Sequence, residues 1–199
     1  MTHIAIIDSG GANIASLQYA FDRLGVSAEL TTDSETIQTA DRVLLPGVGA
    51  ARDAMTRLQD AGLVATIRGL TQPVLGICLG MQLLCEGSEE ENVDCLGILP
   101  GVAAKLAATS DHPVPNMGWC QTKSTAQHTV MTGIDADSYF YYLHSYALPV
   151  SELTVATATH IDEFSAVISY KNFVAAQFHP ERSSAAGARL LQNFLERDS

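Results

Sequence analysis

Residues 74–84 read V-L-G-I-C-L-G-M-Q-L-L, and the rest of the chain is organised around Cys78 within them. The apolar run 74–77 predicts a buried strand, and the pattern over residues 81–86 predicts a helix that begins almost at once. Glycines two positions either side of the cysteine give Gly-x-Cys-x-Gly, a nucleophile elbow with a thiol in place of serine. Such a turn sets the sulfur at a helix N-terminus, where the dipole and free N–H groups favour the thiolate.

Composition limits the classes of protein that remain. The chain has 199 residues, 47% of them apolar, which predicts one globular domain over residues 1–199. A net charge of −11 argues against a nucleic-acid partner or an anionic membrane surface. No signal peptide or membrane-spanning run is expected. The four cysteines form no C-x-x-C pair, so we expect no metal site or disulfide framework, and a cytoplasmic location.

The first half of the chain alternates predicted strands and helices. This order indicates a parallel sheet covered by helices on both faces. Because active groups of such sheets follow the carboxyl ends of strands, Pro-Gly-Val-Gly at residues 46–49 and Cys78 should share one edge. The glycine-rich turn after the first strand lacks G-x-G-x-x-G, so we expect no dinucleotide or other cofactor. The predicted strands are 3–8, 27–31, 42–45 and 74–77, and the predicted helices are 14–24, 51–60 and 63–69.

The second half is richer in β-structure. Residues 88–92 are expected to form an acidic, solvated turn, and 114–120 a Pro/Gly loop with the chain's tryptophan. Together the halves predict an α/β fold: a mixed, mostly parallel sheet flanked by helices, with added antiparallel strands in the second half. The predicted strands here are 139–146, 153–159, 166–170 and 173–178, and the final predicted helix is 185–196.

His179 and Glu181 follow the last predicted strand and flank Pro180. Residues i and i+2 of an extended segment project to the same side, so the imidazole and the carboxylate can point together. Proline favours extended geometry for the residue before it. A carboxylate that holds an imidazole in one tautomer supplies the base and orienter of a catalytic triad, with Cys78 as the nucleophile.

Five ordered motifs together resemble class I (triad) glutamine amidotransferases, which have a flavodoxin-like fold. Two of the five narrow the resemblance to glutaminase subunits of imidazole glycerol phosphate synthase, which act in histidine biosynthesis. The match extends from the first strand to the last helix. The motifs are P-G-V-G at 46–49, G-I-C-L-G-M-Q at 76–82, P-N-M-G-W at 115–119, Y-L-H-S-Y at 142–146 and Q-F-H-P-E at 177–181.

The resemblance implies a role for each matching residue. Cys78 attacks the side-chain amide of glutamine and forms a thioester. His179, oriented by Glu181, protonates the departing ammonia and then activates water. The backbone N–H groups of Val48 and Leu79 stabilise the oxyanions.

The resemblance also implies a substrate site and a protein partner. Glutamine is the substrate, and Glu90 pairs with its ammonium group. The partner is a (β/α)₈ cyclase, bound as the other half of a heterodimer, which receives the ammonia and makes imidazole glycerol phosphate and aminoimidazole carboxamide ribotide. The implied substrate-binding residues are Gly47, Gly49, Gln82, Glu90, Ser145 and Tyr146. The implied partner-facing residues are Asn13, Trp119 and Arg182.

The chain departs from the family's motifs at a few positions. In P-H-M-G-W-N the family usually has histidine where Asn116 stands and asparagine where Cys120 stands. Arg182 replaces a usual lysine, and Ala176 a usual valine. The missing asparagine at Cys120 leaves open a glutaminase that serves a different synthase, such as a sugar-modifying one. A regulatory protein with an inactive site is a further alternative, against which the intact set of Cys78, His179 and Glu181 argues.

Overall fold

A computed structural model describes residues 2–11 and 14–197. Six helices and thirteen strands are present in these residues. The helices are α1 (Ile14–Arg23), α2 (Ser34–Thr39), α3 (Ala51–Asp60), α4 (Leu63–Arg68), α5 (Leu79–Leu83) and α6 (Ser184–Glu196). The strands are β1 (Ile4–Ile7), β2 (Ala28–Thr31), β3 (Arg42–Gly47), β4 (Val74–Cys78), β5 (Cys85–Ser88), β6 (Val93–Asp94), β7 (Leu99–Lys105), β8 (Asn116–Ser124), β9 (Tyr139–His144), β10 (Tyr146–Ala147), β11 (Thr154–Thr159), β12 (Glu163–Tyr170) and β13 (Phe173–Ala176).

Nine strands form the central sheet, in the order β2-β1-β3-β4-β13-β12-β11-β8-β9. The five strands from β2 to β13 run parallel to their neighbours, and β12, β11, β8 and β9 add antiparallel pairs. The predicted mixed, mostly parallel α/β sheet with antiparallel strands from the second half is therefore confirmed. Its most C-terminal strand, β13, lies directly beside β4, which carries Cys78 at its end.

The parallel strands are buried on both faces, and their side chains alternate between two apolar clusters. On β1, Ile4 and Ile6 pack with α1 and α6, whereas Ala5 and Ile7 pack with α2, α3 and α4. A strand covered on both faces needs apolar residues at every position, which explains the uninterrupted apolar runs of the sequence.

The helix predicted over residues 81–86 differs from the observed one. Helix α5 begins at Leu79 and ends at Leu83, and Cys85 begins strand β5. The carbonyl of Leu84 accepts hydrogen bonds from Ile98 and Leu99, and β5 then pairs with β7. Backbone pairing with a distant segment therefore ends the helix one turn early.

The prediction of a loop over residues 114–120 is also wrong, since β8 begins at Asn116. Strand β8 pairs with the aromatic β9, which sets Trp119 opposite Tyr141 with their rings edge to face, 6.1 Å between centroids. Aromatic cross-strand pairs stabilise a sheet, and here they override the local turn signals of proline and glycine. Gly118 accommodates the positive φ of 143° within the strand.

A second sheet contains four short strands in the order β10-β7-β5-β6, three of which lie between residues 85 and 105. Of the acidic segment 88–92, Ser88 ends β5 and is buried, whereas Glu89, Glu91 and Asn92 are exposed in the turn before β6, as predicted. Within the described part of the chain, none of the helices is long and apolar enough to cross a membrane.

Candidate active site

Cys78 occupies a sharp bend between β4 and α5. Its backbone has φ 54° and ψ −111°, a conformation that L-residues rarely adopt and that often marks functional sites. The bend is tightly packed from behind: a Cβ at Gly80 would lie 1.7 Å from the carbonyl oxygen of Leu45. The predicted strand–elbow–helix arrangement is therefore present, and its helix begins at the residue after the cysteine.

The loop that follows β3 ends at the same level of the sheet. Gly47 is the register partner of Cys78, and a Cβ on it would lie 3.0 Å from that of Leu79. Gly49 has φ 98°, and the Ser9 hydroxyl donates a 2.8 Å hydrogen bond to the carbonyl of Pro46. The glycine-rich loop therefore lies against the elbow, held from the end of β1.

His179 and Glu181 form a buried pair after β13. Nδ1 of His179 donates to Oε1 of Glu181 at 2.9 Å, and the two side chains are 5% and 3% exposed. The sequence argument assumed that both residues are extended, but only His179 is. Pro180–Arg182 forms a 3₁₀ turn, and this turn brings the carboxylate back to the ring.

The backbone around His179 is tied to strand β9. Its N–H donates to the carbonyl of Tyr141 at 2.9 Å, and the Ser183 hydroxyl donates to the His179 carbonyl at 2.6 Å. The N–H of Tyr141 in turn donates to the Ser183 hydroxyl oxygen. The imidazole is thereby fixed by main-chain contacts in addition to its carboxylate partner.

The electrostatics of the pair favour a protonated imidazole. Burial alone lowers the pKa of His179, but hydrogen bonding and charge interaction with Cys78 and Glu181 outweigh it and raise the pKa to about 10. At neutral pH the ring therefore carries a proton on both of its nitrogens.

Several groups surround the sulfur of Cys78. The thiol donates to the carbonyl oxygen of Leu143 at 3.6 Å, and Nε2 of Gln177 approaches the sulfur at 3.9 Å. Gln82 contacts the side chain of Gln177 at 3.3 Å and donates to the Tyr146 carbonyl at 3.0 Å. Cys78 therefore belongs to the same buried apolar cluster as Ile77, but its sulfur has polar neighbours.

A cavity of about 220 Å³ opens above the sulfur. Both Cys78 and His179 line it, together with the residues whose N–H groups were predicted to form the oxyanion hole. Nine of the residues singled out in the sequence line this one cavity: Val48, Gly49, Cys78, Leu79, Gln82, Glu90, Ser145, Tyr146 and His179.

Gly47 and Glu181 lie elsewhere. They line a much smaller cavity of about 20 Å³ behind His179, between α1 and the end of β3, and not the larger one. Gly47 is therefore placed to let β3 approach the elbow, rather than at the wall of the larger cavity.

Glu90 has two contacts of interest. It lines the large cavity, and its Oε2 accepts a 2.8 Å hydrogen bond from the N–H of Ala51. Because Ala50 provides no side-chain cap, this carboxylate caps the N-terminus of α3 from a distant part of the chain.

Four lining or contacting residues received no role from the sequence: Pro115, Leu143, His144 and Gln177. Leu143 acts through its backbone carbonyl, so its side-chain identity carries no signal. His144 and Gln177 stand inside the Y-L-H-S-Y and Q-F-H-P-E motifs, and that position was the available signal.

Two of the three predicted partner-facing residues are described, and both are exposed. Trp119 is 52% exposed, and the Arg182 guanidinium lies 4.4 Å from the centre of the Tyr141 ring. Asn13 lies outside the described residues. Across the described ranges, no cluster of three or more His, Cys, Asp or Glu side chains could hold a metal ion.

Comparison with known proteins places this site in a family. The family described as "Glutamine amidotransferase class-I" matches residues 5–197. "Imidazole glycerol phosphate synthase subunit HisH" of Pasteurella multocida is 50% identical over 196 residues, covering 98% of each chain. The HisH 2 subunit of Legionella pneumophila strain Paris is 49% identical over the same length and coverage.

Solved structures agree on the fold. A structure described as glutamine amidotransferase superposes with a TM-score of 0.76 at 17% identity, covering 97% of each chain. A glutamine amidotransferase from Thermotoga maritima gives a TM-score of 0.67 at 16% identity, covering 98% of this chain and 83% of that one. The matched residues span nearly the whole sequence, and the chain therefore belongs to the class I glutamine amidotransferase family, together with the HisH subunits of imidazole glycerol phosphate synthase.

Proposed function

We propose that this chain is the glutaminase subunit of an imidazole glycerol phosphate synthase in histidine biosynthesis. It hydrolyses glutamine to glutamate and ammonia, and the ammonia passes to a (β/α)₈ cyclase, which makes imidazole glycerol phosphate and aminoimidazole carboxamide ribotide. The observation that carries the proposal is the buried His179–Glu181 pair at 2.9 Å, with His179 on the same cavity as Cys78. The identity of 50% to a HisH subunit supports this choice of synthase.

The first chemical step is thioester formation. The Cys78 thiolate attacks the side-chain amide carbon of glutamine, and the electron pair of the carbonyl moves to its oxygen. The N–H groups of Leu79 and Val48 stabilise this oxyanion. Both residues line the cavity beside the sulfur, and loss of one such donor typically costs about 10²–10³ in rate.

Proton transfer belongs to His179. Because its pKa is raised, the ring is protonated and donates the proton that the departing ammonia needs. The neutral ring then takes a proton from the water that hydrolyses the thioester. Glu181 holds the Nδ1–H and so keeps Nε2 directed to the reacting atoms.

The cavity selects glutamine by its charged end. The carboxylate of Glu90 binds the substrate ammonium, while Gly49, Gln82, Ser145 and Tyr146 hold the backbone end. All five line the cavity. Gly47 contributes indirectly, by allowing the glycine-rich loop to approach Leu79.

The cyclase binds the exposed face of β8 and β9. Met117 and Leu143 are register partners there, as are Trp119 and Tyr141, and Met117 and Trp119 are 68% and 52% exposed. Such an apolar, aromatic patch is typical of a binding surface. Arg182 lies over Tyr141 at the border of this patch. Asn13 is the third residue to which we assign a contact with the cyclase.

The chain works as one domain, residues 1–199, without a cofactor, in the cytoplasm. The four cysteines are free thiols, which suits a reducing compartment. The isolated chain turns over little glutamine until the cyclase binds, since free glutaminase activity would waste substrate.

Glutamine turnover by the purified chain, with and without a cognate cyclase and its nucleotide ligand, tests the proposal. We expect a strong increase on adding both. Full activity of the chain alone contradicts the dependence on a partner, and absence of activity under every condition contradicts the proposed function.

A further inference from the structure

A line of buried polar side chains connects strand β8 to the rim of the substrate cavity. Asn116 on β8 and His144 on β9 are register partners, only 2% and 5% exposed. Nδ2 of Asn116 lies 3.0 Å from Nε2 of His144, and Nδ1 of His144 lies 2.9 Å from the carbonyl oxygen of Tyr146. The catalytic scheme above assigns no task to either side chain.

Each hydrogen bond of this line has one possible direction. The Tyr146 carbonyl can only accept, so Nδ1 of His144 carries a proton. Burial lowers the pKa of His144 to about 4, although the bond to Tyr146 raises it, so the ring is neutral and its Nε2 is an acceptor. Asn116 therefore donates with Nδ2, and its Oδ1 accepts from the Cys120 thiol at 3.5 Å.

The other end of the line fixes the rim of the substrate cavity. The Tyr146 carbonyl also accepts from Gln82 at 3.0 Å, and the Ser145 carbonyl accepts from the N–H of Leu106 at 2.9 Å. Ser145 and Tyr146 both line the cavity. Two donors on one carbonyl, one of them His144, thus hold the rim in a single orientation.

We propose that Asn116 is a positioning residue for glutamine, which acts through His144 on the Tyr146 carbonyl. Cys120 supports Asn116 by donating a hydrogen bond to its Oδ1. This inference rests on the proposed glutaminase function. It concerns substrate binding and not the chemical step, because neither Asn116 nor Cys120 lines the cavity wall.

The two residues that depart from the family's P-H-M-G-W-N motif therefore depend on each other. Asn116 and Cys120 are the two residues that differ, and their side chains touch each other in this structure. A change at either position alters this contact, because a side chain of different size and shape then faces the other residue. The effects of the two substitutions should therefore depend on each other.

Steady-state glutamine hydrolysis by the complex with the cyclase, with kcat and KM measured separately, tests this. We expect Asn116→Ala to raise KM about tenfold with kcat nearly unchanged, the pattern of lost substrate binding. Gln38→Ala is the matched control: it removes an exposed amide on α2 that donates to the Ser34 hydroxyl, away from the cavity lining and from the β8 and β9 face, and should change neither constant.

A second pair of variants separates positioning from general damage to the fold. Asn116→His should raise KM, and Asn116→His with Cys120→Asn should return it close to the wild-type value. An unchanged KM in Asn116→Ala, or independent effects at the two positions, overturns the proposal. If Asn116→Ala does not fold, as judged by thermal melting, the KM of the double variant compared with that of Asn116→His tests the proposal instead. If the wild-type complex has no glutaminase activity, the proposed function itself is wrong.

Discussion

Gly47 and Cys78 lie directly opposite each other in the parallel register of β3 and β4. The glycine-rich loop and the bend at Cys78 therefore leave the sheet at the same level, on neighbouring strands. This single pairing brings the Val48 segment and the Leu79 helix start to one cavity, although they are far apart in the sequence. Parallel strands make such an encounter inevitable, because their carboxyl ends share one edge.

The close approach behind the elbow predicts a large effect of Gly80→Ala. The added methyl group would lie 1.7 Å from the carbonyl oxygen of Leu45, on rigid backbone. We expect a loss of more than about 3 kcal/mol in the free energy of unfolding, measured by urea denaturation. Gly69→Ala, where the nearest atom is 3.4 Å away, is the control and should change stability by less than about 1 kcal/mol.

Cys78→Ser should abolish glutamine-dependent synthesis by the complex while leaving synthesis from added ammonia intact, because the cyclase does not need the sulfur. Both activities can be measured on one preparation. Cys85→Ala serves as control: that thiol is buried, burial raises its pKa, and its loss should cost only about 1 kcal/mol of stability. Equal loss of both activities in Cys78→Ser would assign the residue a structural role.

Glu181→Gln should change how stability depends on pH. The pKa of His179 is about 10 in the folded chain, above its ordinary 6.5, so the protonated ring contributes stability below pH 6.5 that is lost as pH rises through 10. Without the carboxylate that pKa falls. Urea denaturation at pH 6, 8 and 10 measures the free energy of unfolding of both proteins. At pH 6 it should be much lower for the variant than for the wild type, and the difference between the two should narrow by pH 10. A constant gap contradicts the coupling.

The same substitution should lower kcat for glutamine by about 10² or more, because the ring loses its orienting partner. Binding of glutamine should change little, since Glu181 does not line the large cavity. A raised KM with an unchanged kcat would contradict this role.

Two substitutions at Glu90 separate its structural and substrate contacts. Glu90→Gln keeps an oxygen that can accept from the Ala51 N–H but removes the charge, so KM for glutamine should rise while stability is kept. Glu90→Ala removes the cap of α3 as well and should cost about 1 kcal/mol in addition. Isothermal titration with glutamine and thermal melting measure the two effects. An unchanged KM in Glu90→Gln would mean that the carboxylate serves α3 alone.

The partner surface predicts that Trp119→Ala weakens binding of the cyclase by at least about tenfold, because large aromatic residues dominate such interfaces. Stability should fall by no more than about 1 kcal/mol, the contribution of a cross-strand aromatic pair such as Trp119 and Tyr141. Val102→Ala, at another exposed apolar residue, is the control. Calorimetry of the two proteins gives both dissociation constants, and equal values would remove Trp119 from the interface.

Much of the fold could be predicted because its signals are local. The strand that ends at Cys78 is apolar at every position, as a strand buried on both faces must be. Helix α6 shows its apolar stripe in the sequence, with Leu190, Leu191 and Phe194 all buried. What failed were segments whose structure depends on distant pairing: β5 forms on β7, and β8 on β9.

For the site, residue types and their spacing predicted Cys78 and the His179–Glu181 pair, whereas the family resemblance predicted most of the residues that line the cavity. Only the tertiary structure decided that Gly47 supports the elbow rather than the cavity, that Glu90 also caps α3, and that Asn116 and His144 join into one buried line. These are contacts between segments brought together by sheet register and packing. A linear pattern records which groups a chain carries, whereas the three-dimensional fold determines which of them meet.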